Sequence, residues 1–151
     1  MQLYSYSLDC FYTILSKVFV MTESPREEET GTHVQLFVYR ILKKNHDAMV
    51  QLESQLTAIF GKYGILRSEF FQLSDTKTFE GFTSIAKTVS ANQDDEEVWV
   101  ELESYRDRKH RDEVVAKIEQ DPSAGPLFGQ VMSLLTQGYS LIMGEFKRLQ
   151  V

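Results

Sequence analysis

The sequence predicts a ferredoxin-like α+β fold: a four-stranded antiparallel sheet with its helices on one face. Segments of period two and segments of helical spacing follow one another in the order strand, helix, strand, strand, helix, strand, with extra segments after the second strand and the second helix. The clearest junction lies in Glu96 to Pro122. Val98, Val100 and Leu102 alternate with Trp99, Glu101 and Glu103 up to Tyr105, and Val114, Val115 and Ile118 then recur at helical spacing until Pro122. A chain of 151 residues, 42% hydrophobic and 25% charged, has the size and composition of one domain with one core.

Residues 1–33 read as an amino-terminal extension and flexible lead-in, and residues 34–151 as the ferredoxin-like domain. Met1 to Val20 is apolar and aromatic, with Tyr4, Leu8, Phe11, Tyr12, Leu15 and Phe19 near helical spacing. Three readings stay open there: an upstream extension of a chain that starts at Met21, an ordered accessory helix, or a targeting or membrane-surface segment. Asp9 and Lys17, and the lack of a basic start and a small-residue cleavage site, argue against the last. Thr22 to His33 is polar, acidic and broken by Pro25 and Gly31.

Val34 to Leu42 is the first strand, rich in β-branched and aromatic residues. Asn45 or Asp47 caps a helix whose Met49, Leu52, Leu56, Ile59, Phe60 and Tyr63 share one face, and Gly64 ends it. Ile65 to Leu73 is the second strand, Ser74 to Gly81 a turn-like connection, and Phe82 to Val89 either a turn of helix or an edge strand. Asn92 to Asp95 turns into the third strand. Beyond the central helix, Ser123 to Gly125 breaks the chain. Pro126 then opens a helix carrying Leu127, Phe128, Val131, Met132, Leu134 and Leu135, which Gly138 ends. Tyr139 to Leu149 is the last strand.

If helices cover one sheet face, the aliphatic row Val98, Val100 and Leu102 is expected beneath them. Trp99, Glu101, Glu103 and Tyr105 then project from the other face. An open face carrying Trp99, Phe70 or Phe71, Tyr39 and Met143 is an apolar patch that a second copy would bury, so a homodimer is expected.

A net charge of −6 gives no basic footprint for nucleic acid, and none is expected as a partner; nor is a membrane. The single cysteine, Cys10, excludes an internal disulfide and a cysteine-based zinc cluster, and a cytoplasmic home is the simplest reading. No glycine-rich phosphate loop or nucleophile elbow occurs, and no cofactor or metal is expected.

His110, among Arg106, Asp107, Lys109, Arg111 and Asp112, is a candidate acid or base; the plainer use is helix-start capping within a solvated ion-pair network. Glu101 and Glu103 share a strand face and can share a proton or bind a cation beside Tyr105, or pair with Arg67 or Lys147. Trp99 and Tyr39 can line an apolar pocket or pack at a dimer interface. His33 and His46 read as exposed.

Phe82 to Pro122 also resembles the YbaA-like family, a domain-of-unknown-function 1428 family. The most specific pieces are Tyr105 followed by His110-Arg111-Asp112-Glu113-Val114, then Ala116-Lys117 and Asp121-Pro122. Met143-Gly144-Glu145-Phe146 is similar to the family's glycine-containing last strand. The resemblance runs over Val34 to Val151, while the loop Ser74 to Gly81 lacks the family's proline-rich character and the first strand its usual start. It implies the dimeric α/β-barrel form of the ferredoxin-like fold and supplies no activity or catalytic residues. Function is thus expected to be small-molecule binding in a cleft between sheet and helices, with Trp99, Glu101, Glu103, Tyr105, His110 and Tyr39 as ligand-binding candidates. A structural or interaction module without a ligand and a cofactor-independent monooxygenase- or isomerase-like enzyme are the alternatives.

Overall fold

The structure, a computed structural model, describes residues 30–137 and 141–151. The expectations for Met1 to Val20, for most of the acidic lead-in and for Gly138 lie outside these residues. The chain runs β1 (His33–Leu42), a 3-10 turn (Lys43–Asn45), α1 (His46–Tyr63), β2 (Arg67–Gln72), α2 (Ile85–Thr88), β3 (Glu96–Tyr105), α3 (Arg108–Glu119), α4 (Ala124–Leu134) and β4 (Leu141–Lys147). The strands form one antiparallel sheet in the order β2-β3-β1-β4, the predicted ferredoxin-like arrangement.

β1 and β3 are the central pair, matched from His33 opposite Tyr105 to Leu42 opposite Glu96. Because directly opposed residues share a face, this register sets two rows. Gln35, Phe37, Tyr39 and Ile41 lie with Trp99, Glu101, Glu103 and Tyr105. Val34, Leu36 and Val38 lie with Val98, Val100 and Leu102. The first row faces the long helices: Tyr39, Ile41, Trp99 and Tyr105 pack with Met49, Leu52, Leu56 and Phe60 of α1, Val114 and Ile118 of α3, and Val131 of α4.

The face assignment expected from the sequence is therefore reversed. Trp99, Tyr39, Phe70 and Met143 lie on the helix side, and of the expected open-face residues only Phe71 projects away from it. Both rows of β3 are apolar enough to be buried, and the bulkier aromatic row takes the deeper position. On the reverse face Val38 and Val98 are covered by Ala86 and Val89, in and just after α2, with Leu73 and Ile85 packed alongside. The ambiguous segment Phe82 to Val89 is thus a short helix, started by Ser84, whose hydroxyl accepts the Ala86 N–H at 3.3 Å.

Gly64, at φ 96°, ends α1 as predicted; the next N–H, of Ile65, folds back to the Phe60 carbonyl at 3.2 Å, so β2 begins later than Ile65. α1 begins behind Asn45, whose side chain makes no capping bond. α4 starts two residues before Pro126, still within the first turn where a missing N–H costs nothing, and ends at Leu134 because Leu135 is extended and bridges to Ile41. No helix among the described residues is long and apolar enough to cross a membrane.

Gly31 enters β1 at φ 67°, and a Cβ there would run into the Tyr105 carbonyl. Gly31→Ala is expected to lower the unfolding free energy by roughly 1–3 kcal/mol, read from urea unfolding, whereas an unchanged midpoint would show that this close approach does not constrain the chain.

Candidate ligand cavity and its buried carboxyls

A cavity of about 430 Å³ opens between the helix-side face of the sheet and the helices. The sheet supplies its floor: Gln35, Phe37 and Tyr39 from β1, Phe70 from β2, Glu101 and Glu103 from β3. α1 contributes Glu53, Leu56, Thr57 and Phe60; α3 contributes Arg111, Val115 and Ile118; α4 contributes Phe128, Val131 and Met132. Leu141 and Met143 of the edge strand β4 stand at its border. Mostly apolar walls around a few polar groups are the usual makeup of a small-molecule site.

Gln35, Tyr39, Glu53, Glu103 and Arg111 are each engaged in polar contacts. The Tyr39 hydroxyl donates to Glu53 Oε1 at 3.3 Å, and the Tyr105 hydroxyl donates to Glu103 Oε2 at 2.8 Å. The Gln35 amide satisfies its surroundings in one orientation: its nitrogen donates to Glu103 Oε2 at 3.2 Å and its oxygen accepts from Arg111 Nη2 at 2.9 Å. Arg111 also contacts Asp112 at 2.9 Å and Glu145 at 3.7 Å. Glu101 differs, for no hydrogen bond or ion pair reaches its carboxyl from any described residue.

Burial raises all three inner carboxyls. Glu101 is pushed up to about 9 by desolvation, then by its neighbours Glu103 and Glu53. Desolvation lifts Glu53 to about 7, against the Tyr39 hydrogen bond, with Glu103 adding to the rise. It lifts Glu103 to about 7 as well, opposed by the Tyr105 hydroxyl and Arg111. Glu101 therefore holds a proton in neutral solution, and the cavity contains a carboxylic acid that can donate a hydrogen bond or a proton. No group of three or more His, Cys, Asp or Glu among the described residues is placed to hold a metal ion.

Of the residues singled out in the sequence, Tyr39, Glu101 and Glu103 line this cavity. Trp99 lines an adjoining one of about 380 Å³, which shares Glu53, Thr57, Ser68 and Phe70 with the first. There the indole N–H donates to Glu97 Oε2 at 2.8 Å, and His46 Nδ1 meets the same oxygen at 2.8 Å; that hydrogen bond raises the imidazole pKa. Tyr105 lies beneath Glu103, fully buried. His110 lines neither cavity. It packs edge-on to Tyr105, its Nδ1 accepts the Arg106 N–H at 3.2 Å, and its own N–H is capped by Asp107 at 2.8 Å, the capping geometry weighed for it in the sequence.

Some expected surroundings are replaced. Arg67 pairs with Glu69, on its own strand, rather than with Glu101 or Glu103, which point the other way. His33 is not exposed; its side chain is 12% accessible and lies 3.8 Å from Glu145. Glu53, Arg111 and Gln35 were not foreseen as site residues. Glu53 carries a legible signal, a charge set inside the apolar stripe of α1 between Leu52 and Leu56.

A carboxyl whose pKa is raised in the folded state binds more protons there than in the unfolded chain between its ordinary value and the raised one. Its contribution to stability is full below the ordinary carboxylate range and is lost as pH rises toward about 9. Glu101→Gln is thus expected to match the parent near pH 4 and to exceed it at pH 9 by on the order of a few kcal/mol. Urea unfolding of both proteins across that range checks this, and a pH-independent difference would place Glu101 in water.

Residues 32–133 match the family described as "Protein of unknown function (DUF1428)". No curated protein sequence matches the chain. Several solved structures share its fold. SnoaB, a cofactor-independent oxygenase from Streptomyces nogalater, is 14% identical with a TM-score of 0.50, over 80% of this chain and 97% of that one. A NIPSNAP family protein from Agrobacterium tumefaciens is 15% identical with a TM-score of 0.50, over 80% and 88%. A dimeric ferredoxin-like protein from an uncultured marine organism is 6% identical with a TM-score of 0.50, over 85% and 96%. At such identities the likeness is one of fold, whereas the family match spans most of the chain: the protein belongs to the DUF1428 family of unknown function.

Proposed function

We propose that this protein binds a small, largely apolar molecule in the cavity between sheet and helices, and that it does so as a homodimer. The observation that carries the binding reading is the cavity itself, with aromatic and aliphatic walls around a carboxyl, Glu101, to which no described residue gives a partner. A tightly packed structural module would not leave about 430 Å³ open against a half-buried carboxyl. Tyr39, Glu101 and Glu103 then meet the ligand, Trp99 borders it from the adjoining cavity, and Tyr105 and His110 position Glu103 and the start of α3.

A cofactor-independent enzyme is the second reading, and Glu101 is what favours it. A cavity-lining acid that keeps its proton in neutral solution is suited to protonating a bound carbonyl or to holding a developing oxyanion. The likeness to an oxygenase of that kind adds the fold and no residue roles.

The dimer is supported by the reverse face of the sheet, where Phe71, Ile142 and Phe146 are exposed and Val34 and Leu102 are half-buried, alongside the part that α2 covers. A similar fold is described as dimeric. Pairing of two such faces gives the dimeric α/β barrel expected of the YbaA-like group, with residues 34–151 as the unit that pairs. A cytoplasmic setting fits a chain with one cysteine.

N-phenyl-1-naphthylamine, a neutral aromatic fluorophore, is expected to bind saturably, one per chain, and about tenfold or more weaker to Thr57→Trp, which fills the cavity from α1. Absence of saturable binding, together with no retained small molecule in native mass spectra of protein from its own host, would end the binding reading. Sedimentation is expected to give a dimer that Ile142→Glu with Phe71→Glu converts to monomer; a monomeric parent protein would end the dimer reading.

A further inference from the structure

Resting on the binding reading, we infer that the ligand class of this cavity is a hydrophobic amine, its nitrogen held at Glu101 and its apolar body among the phenylalanine rings. Four carboxyls line the cavity, Glu53, Glu101 and Glu103 inside and Glu119 at its exposed border, against one cation, Arg111. That cation is already taken by Gln35, Asp112 and Glu145, so it is not available to a ligand anion. A ligand carboxylate would meet the like charge of Glu53 and Glu103 with no free cation among the described lining residues to offset it, and an anionic ligand is disfavoured.

Aromatic walls point the same way. Phe37, Phe60, Phe70 and Phe128 border the space, and the faces of such rings attract an ammonium group that has left water. Glu53 and Glu103 have tyrosine donors, which leaves Glu101 as the inner carboxyl open to the nitrogen. At neutral pH that carboxyl carries a proton, so an amine arriving as its ammonium form displaces it: the ammonium keeps its own proton, the carboxyl loses one to buffer, and an ion pair remains. A neutral amine would take the proton from Glu101 and give the same pair.

Three isosteric probes test this at pH 7 on the full chain by titration calorimetry: 3-phenylpropylamine, 3-phenylpropanol and 3-phenylpropanoate. The amine is expected to bind about tenfold or more tighter than the alcohol, the acid to show no saturable binding, and amine binding to release close to one proton, read from buffers of different ionisation enthalpy. Glu101→Gln keeps the shape and removes the charge, and is expected to erase both the amine preference and the proton release. Glu113→Gln, on the exposed surface of α3 outside the cavity, is expected to retain both. Alcohol binding equal to or tighter than amine binding, acid binding, or an amine preference that survives Glu101→Gln with proton release intact would overturn the inference and leave the cavity reading standing. Failure of all three probes, with the naphthylamine also unbound, would overturn both.

Discussion

The ten-pair register between β1 and β3 is the constraint on which the rest of the molecule depends. It places Trp99 and Tyr105 on one face with Tyr39 and Ile41, and these four residues supply much of what the helices bury. Glu101 and Glu103 stand between Trp99 and Tyr105 in the same row. A strand cannot turn two residues outward while keeping their flanking neighbours inward, so burying the aromatics draws the carboxyls to the helix side with them, Glu103 buried and Glu101 half-buried. The acidic cavity floor is a consequence of register.

That placement is costly, and the packing around it shows how most of the cost is offset. Glu103 is met by the Tyr105 hydroxyl, the Gln35 amide and, through Gln35, the Arg111 side chain; Glu53 is met by Tyr39. Each partner satisfies a lone pair that would otherwise face hydrocarbon. Glu101 lies between these two assemblies and shares neither, and the electrostatic outcome is retention of its proton. A group left in this state destabilises the folded chain wherever it would be ionised, and it is the group a bound molecule can relieve.

Much of the fold was legible in the sequence, because it rests on periodicity. The strand order, the junction at Tyr105, the stop at Gly64 and the cap at Asp107 follow from spacing and from residue types with one local use. The sheet faces are not legible for a physical reason: β3 carries apolar residues in both rows, so alternation identifies two rows without saying which lies under the helices. Val98 looks like a core residue and is one, but against Ala86 and Val89 on the reverse face, with Val100 partly buried beside it. Tyr39, Glu101 and Glu103 line the cavity in spite of this reversal because the cavity lies on the helix side with them. Glu53, Arg111 and Gln35 come to the site from three different elements, and only the tertiary packing of α1, α3 and β1 brings them together.

The same two-sided strand links the two surfaces that matter. Phe70 and Phe71 are consecutive in β2, one lining the cavity and the other exposed on the reverse face, and Val100 and Glu101 stand in the same relation in β3. The backbone of a paired strand moves as a unit, because each residue is held by ladder bonds to its neighbours. A shift that re-aims Glu101 toward a ligand therefore carries Val100 with it, and a surface that immobilises Val100 and Phe71 narrows the range of positions open to Glu101 and Phe70. In the proposed dimer, covering the apolar reverse face would therefore act on the same two strands, β2 and β3, that carry Phe70 and Glu101 on the opposite side of the sheet.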